Sequence, residues 1–108
     1  MTDIISAPEL ASWLEDGSRD NPLLLDVREL NELQVCRIPG SIHMAMHTIP
    51  SRVNELDPDA AIVCICHHGA RSMQVANFLV QQGFTNVINL TGGVHAWAVQ
   101  VDPDMNTY

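Results

Sequence analysis

Short unbroken apolar runs alternate along this chain with longer stretches whose apolar residues recur at helical intervals. Ser6-Ala7-Pro8-Glu9 has the Ser-x-x-Glu spacing of a capping box with proline inside the first turn, and Leu10, Trp13 and Leu14 follow at helical spacing. This predicts a first helix ending near Gly17. After the polar residues 18–21 and the punctuating Pro22, Leu23-Leu24-Leu25 closed by Asp26 reads as a buried parallel strand.

Residues 29–33 suit a short helical segment, Ile38-Pro39-Gly40 a turn, and residues 41–44 a brief strand. Pro50 opens another short helix through Leu56. Residues 60–65, apolar throughout, carry the strongest strand signal and predict the central strand. From Arg71 onward, Met73, Val75, Ala76, Phe78, Leu79 and Val80 recur with helical spacing until Gly83, a left-handed helix terminator. Residues 87–90 form a further buried strand, Thr91-Gly92-Gly93 a loop, and residues 94–99 a last helix with Trp97 facing inward; the polar tail 101–108 is expected to be loosely held. Strands alternating with helices, without an internal repeat, predict an α/β fold with a parallel sheet covered on both faces.

At 108 residues with 46% hydrophobic residues, the chain is expected to be a single domain with one core over about residues 5–100. Thirteen Asp and Glu against five Arg and no Lys leave a net charge of −8, which repels phosphate backbones and argues against nucleic-acid binding. No segment approaches the ~18 to 20 apolar residues of a membrane span, and the first nine residues lack the basic and apolar regions of a secretory leader. The three cysteines, Cys36, Cys64 and Cys66, do not suggest a disulfide scaffold, so a reducing cytoplasm is the expected setting.

In open parallel sheets ligands bind beyond the carboxyl ends of the strands. The segment leaving the expected central strand there is Cys66-His67-His68-Gly69-Ala70-Arg71-Ser72, which runs straight into the long helix. Loop N–H groups and a helix N-terminus converging on a thiol make an anion cradle. A thiol of ordinary pKa ~8.5 is only about 3% ionised at pH 7, whereas one at ~6 is about 90% ionised, a difference of about 3.4 kcal/mol. A helix N-terminus supplies only ~0.3 to 2 kcal/mol of that, so a cation and further donors are required. Arg71 is placed to provide the charge, and Gly69 to let the backbone fold tightly round the anion.

Cys66-x-x-Gly69-x-Arg71-Ser72 resembles the active-site loop of the rhodanese-like sulfurtransferases. Leu25-Asp26-Val27-Arg28-Glu29 resembles the family's Asp-Val-Arg-Glu segment, Arg37-Ile38-Pro39-Gly40-Ser41 its Ile-Pro-Gly turn, and Gly92-Gly93-Val94 through Trp97 its closing Gly-Gly-x-x-x-Trp motif. Cys36-Arg37 stands where the family often has Gly-His. The resemblance implies a three-layer α/β/α fold with about five parallel strands. It implies a thiosulfate sulfurtransferase that takes a sulfane sulfur onto Cys66 as a persulfide and passes it to cyanide in assay, or to a thiol or protein in the cell. Arg71 would clamp the donor's anionic end, and His67, His68, Gly69, Ala70 and Ser72 would form the substrate loop.

No cofactor beyond the covalent persulfide is expected, and the protein is expected to be a monomer or weak homodimer. The nearest enzymatic rival, the Cys-dependent phosphatases, resembles it in thiolate, cradle and arginine, and an arsenate reductase is a further alternative. In the phosphatase pattern five residues separate cysteine from arginine; here there are four, and the tighter loop crowds a phosphoryl group. A rhodanese-like binding or regulatory module with an unused cysteine is the alternative from another class. Cys64 reads as core, Asp26 and Arg28 as a buried supporting pair, and His43, His47 and His95 as surface or hydrogen-bonded residues. Cys64, Cys66, His67 and His68 have soft-ligand character but lack a completing set unless His43 and His47 fold over, so no metal is expected.

Overall fold

The apolar runs become a five-stranded sheet because each is too short for a helix and carries side chains that need cover on both faces. In the computed structural model, which describes residues 2–108, β2 (Leu23–Asp26), β4 (Ile62–Ile65) and β5 (Val87–Leu90) are the inner strands. The two-residue β3 (Ile42–His43) and β1 (Asp3–Ile5) form the edges of the order β1-β5-β4-β2-β3. Every pairing is parallel, so each strand must be followed by a crossover. Helices α1 (Ala7–Glu15), α2 (Leu30–Leu33), α3 (Ile49–Arg52) and α4 (Ala70–Gln81) lie in the four crossovers, and α5 (Gly93–Gln100) follows the last strand.

The two-residue period of a strand divides the core into two layers. Leu24, Val63 and Ile65 face α1 and α5, where they meet Leu10, Trp13, Val94 and Trp97. Leu25, Ile62 and Cys64 face the other way, against Val75, Leu79 and Phe84. Cys66, two residues beyond Cys64, belongs to this second layer, so the chain leaves β4 with the Cys66 side chain turned toward the α4 side. The three-layer α/β/α architecture is therefore present, with β4 central and buried at all four positions.

The α1 capping box closes as its sequence predicts: Ser6 Oγ accepts from the Glu9 N–H at 3.2 Å, and Glu9 Oε1 accepts from the Ser6 N–H at 3.0 Å. Three local features depart from the sequence reading. The edge strand β1 was not anticipated; it has three residues, pairs only with β5, and leaves Ile4 64% exposed, so it shows no buried alternation. The helix expected from Pro50 to Leu56 is one α turn, α3, between 3-10 turns at Met46–Thr48 and Val53–Glu55. The tail is anchored, because Val101 and Met105 pack on the α1/α5 layer and Tyr108 returns to the carboxyl end of the sheet. Among the described residues, no helix is long and apolar enough to cross a membrane.

Candidate functional site

Parallel pairing brings the carboxyl ends of β2, β4 and β5 to one edge, and the segments leaving them form the site. The β4 exit, residues 66–69, is stitched to the start of α5 by two backbone bonds. The Val94 N–H donates to Cys66 O at 2.9 Å and the His95 N–H to His67 O at 3.1 Å. That approach requires glycine at position 93: φ is +59°, and a Cβ there would overlap the carbonyl oxygens of Cys66 and His67. Gly69, at φ +112°, turns the chain into α4 so that its own N–H points back at Cys66 Sγ, 3.0 Å away.

Cys66 is 1% exposed. Its sulfur meets the Gly69 N–H and, at 3.3 Å, Ser72 Oγ from the first turn of α4. Ser72 has one proton for three acceptors in reach: Cys66 Sγ, Gly69 O at 3.2 Å and Asn89 Oδ1 at 2.5 Å. Asn89, in β5, donates from Nδ2 to Gly69 O at 3.2 Å, so it braces both the hydroxyl and the turn. Ala70 is exposed at the start of α4. Burial, and then the neighbouring Cys66, pushes the Cys64 thiol up to about 12, which keeps it a neutral core group.

Arg71 does not stand free beside the loop. Its Nη1 and Nη2 donate to the two carboxylate oxygens of Glu32 in α2, both at 2.7 Å, in a bidentate pair. The Arg71 bonds hold the Glu32 carboxyl down at about 2 despite the opposing effect of burial, with smaller help from the Glu29 N–H and the Tyr108 hydroxyl. Tyr108 links this pair to a second one: its hydroxyl accepts from Arg28 Nη1 at 2.9 Å and donates to Glu32 Oε1 at 2.8 Å. Burial alone would weaken the Arg28 cation, but hydrogen bonds to Asp26 and then Tyr108 outweigh it and raise its pKa. Asp26 accepts from Arg28 Nη2 at 2.7 Å and from Nε at 2.9 Å. Arg28 Nη2 also donates to Cys36 O at 2.8 Å, tying β2 to the segment before the Ile38-Pro39-Gly40 turn.

The histidines separate into two groups. His43 Nε2 lies 2.6 Å from Arg28 O, and His47 lies 3.9 Å from Glu29, so neither approaches the Cys66 loop as a ligand. His67 is stacked on the Tyr108 ring, with centroids 3.9 Å apart and planes at 12°, and meets the His68 ring, also at 3.9 Å, tilted by 33°. Burial, and then the charge of neighbouring His68, lowers the His67 pKa. The sequence reading missed Glu32, Asn89 and Tyr108. Asn89, a polar residue inside an apolar strand, was a usable signal; the partners of Glu32 and Tyr108, 39 and 76 or more positions away, had none.

Comparison with known proteins places this geometry in a family. Residues 6–100 match the Rhodanese-like domain family, and the chain belongs to it. The chain is 39% identical over 98 residues to a sulfurtransferase of Allochromatium vinosum, covering 91% of this chain and 90% of that one. It is 36% identical over 90 residues to the thiosulfate sulfurtransferase GlpE of Pseudomonas syringae pv. syringae, covering 83% and 82% respectively. The match to the chloroplastic Rhodanese-like/PpiC domain-containing protein 12 of Arabidopsis thaliana is 38% identical over 109 residues, takes in 96% of this chain and spans only 36% of that longer protein. The solved structure of a rhodanese-like domain protein from Staphylococcus aureus superposes with a TM-score of 0.83 at 28% identity, covering 100% of this chain and 99% of that one.

Proposed function

We propose that this chain is a thiosulfate sulfurtransferase that carries the transferred sulfur on Cys66. The observation supporting this most strongly is the sulfur's setting: Cys66 Sγ lies 3.0 Å from the Gly69 N–H and 3.3 Å from Ser72 Oγ, at the mouth of a glycine-turned helix N-terminus. Donors in that arrangement favour a negative sulfur, whether thiolate or the terminal sulfur of a persulfide.

In the first half-reaction the Cys66 thiolate attacks the outer sulfur of thiosulfate. A new S–S bond forms, the S–S bond of the donor breaks, and sulfite leaves with the electron pair. In the second, an acceptor nucleophile attacks the terminal sulfur and Cys66 leaves as thiolate; with cyanide the product is thiocyanate. Electrons balance in both steps, so the sulfur needs no resident cofactor to carry it. Arg71 spends two of its five N–H donors on Glu32, and the remainder are available to orient the sulfonate end of the donor. Asp26 and Arg28 act as structural support.

The cellular acceptor is a thiol or a protein, and the net charge of −8 favours a basic protein over an acidic one. A reducing cytoplasm, and action as a monomer or weak homodimer, complete this reading; the free Cys36, Cys64 and Cys66 are consistent with the first. Two observations favour the competing reading, a binding module with an unused cysteine: the thiol is 1% exposed, and Glu32 already holds two of the Arg71 donors.

Thiocyanate formation from thiosulfate and cyanide decides between the two. The proposal expects parallel double-reciprocal lines, the mark of two half-reactions, and no thiocyanate above background for Cys66→Ser. Activity retained by folded Cys66→Ser would overturn it.

A further inference from the structure

We propose that His67, His68 and His95 form a binding site for a late first-row divalent transition metal of the Zn(II), Ni(II) or Cu(II) class, at the rim of the Cys66 loop. Each ring offers a nitrogen, and these atoms lie within 4.8 Å of one another. In the sequence a metal set lacks completion unless His43 and His47 fold over; the fold instead brings in His95.

The backbone fixes this grouping. His67 and His68 leave β4, and His95 sits in the first turn of α5. The His95 N–H bond to His67 O at 3.1 Å and the Val94 N–H bond to Cys66 O at 2.9 Å lock the two segments together. The left-handed glycine at position 93 permits that contact and no Cβ would, so the backbones that carry the three histidines cannot separate without breaking the turn that shapes the loop.

The rings are not a parallel stack. Their centroids are 3.9 Å apart for His67 and His68, 5.1 Å for His68 and His95, and 6.3 Å for His67 and His95, with interplanar angles of 33°, 51° and 76°. In-plane lone pairs on rings so tilted can converge on one point. Metal–imidazole bonds of about 2.0 to 2.1 Å in a tetrahedron put the nitrogens about 3.4 Å apart. The widest separation, 4.8 Å, must therefore close by about 1.4 Å. His68 and His95 are exposed and can make that movement by side-chain rotation, while Tyr108 stacked on His67 at 3.9 Å holds the third ring in place.

Imidazole nitrogens select borderline transition metals over the hard cations that prefer oxygen. Neither Arg28 nor Arg71 presents an unpaired positive charge to oppose a dication, since each is paired with a carboxylate. Three protein ligands leave the fourth tetrahedral position to water or an added ligand.

The test is a titration of untagged, chelator-treated, reduced protein with Co(II), followed by its visible d–d bands, and then displacement by Zn(II). It is run on wild type, Cys66→Ser, His95→Ala and His47→Ala, with thermal melts as the check on folding. The expected result is one equivalent bound in wild type, unchanged in Cys66→Ser and His47→Ala, and weakened by about tenfold or more in His95→Ala. Binding that survives His95→Ala, disappears in Cys66→Ser, or never reaches one equivalent in wild type would overturn the site. None of these readings depends on sulfur transfer, so failure of the metal site and failure of the proposed activity are told apart.

Discussion

Two arginine–carboxylate pairs stand at the carboxyl end of the sheet, alike in chemistry and opposite in burial. Arg28 and Asp26 are both 0% exposed in their side chains and meet at 2.7 Å. Arg71 and Glu32 meet at the same distance with side chains 36% and 15% exposed. The inner pair also binds the Cys36 carbonyl, so it fixes the end of β2 and the segment crossing it. The outer pair holds its cation at the rim, where water and an anionic ligand can compete for it. Tyr108 joins them by accepting from Arg28 and donating to Glu32. Under the proposed function, the contrast gives stability to the inner pair and ligand handling to the outer.

Removing one member of the inner pair should have the largest effect. Arg28→Ala strands the Asp26 carboxylate in the core and should cost about 3 to 5 kcal/mol in urea denaturation. A loss below about 1 kcal/mol would erase the difference between the pairs. Arg71→Ala should instead lower thiosulfate turnover by about 10²-fold, in the range for loss of a charge-stabilising donor, while shifting stability by no more than about 1 kcal/mol. A variant that unfolds as readily as Arg28→Ala would show the outer pair to be structural.

Acid should titrate the outer pair. Glu32 is held at about 2, below its ordinary value of 4.5, so its contribution is fully present above that ordinary value and is lost as pH falls through about 2. The stability gap between wild type and Glu32→Gln should therefore be constant near neutrality, no larger than about 1 kcal/mol, and shrink steadily between about pH 5 and 2. A gap that widens on acidification would contradict the pairing. Smallest of all, Tyr108→Phe removes the bridge at a 42% exposed residue and should cost about 0.5 kcal/mol by thermal melting.

Local chemistry made the inner strands, α1, α4 and the cysteine loop legible in the sequence. An unbroken apolar run such as residues 62–65 needs cover on both faces wherever it lies, and a capping box closes within four residues. The short edge strand β1 was illegible because its residues are mostly exposed and its order comes from β5, over eighty positions away. The same limit applies at the site. Cys66, Gly69 and Ser72 interact within seven residues of chain, whereas Glu32, Asn89, His95 and Tyr108 arrive from other elements. Arg71 could be recognised from its spacing to Cys66, but its engagement by Glu32 is a property of the fold.

The central claim, that Cys66 carries the transferred sulfur, is tested most directly by the intact mass of the protein after incubation with excess thiosulfate and removal of the donor. The expected result is a gain of one sulfur atom in wild type, its disappearance on adding cyanide, and no gain in Cys66→Ser. A folded, reduced wild-type protein that gains no sulfur, or a Cys66→Ser protein that gains it equally, would contradict the account.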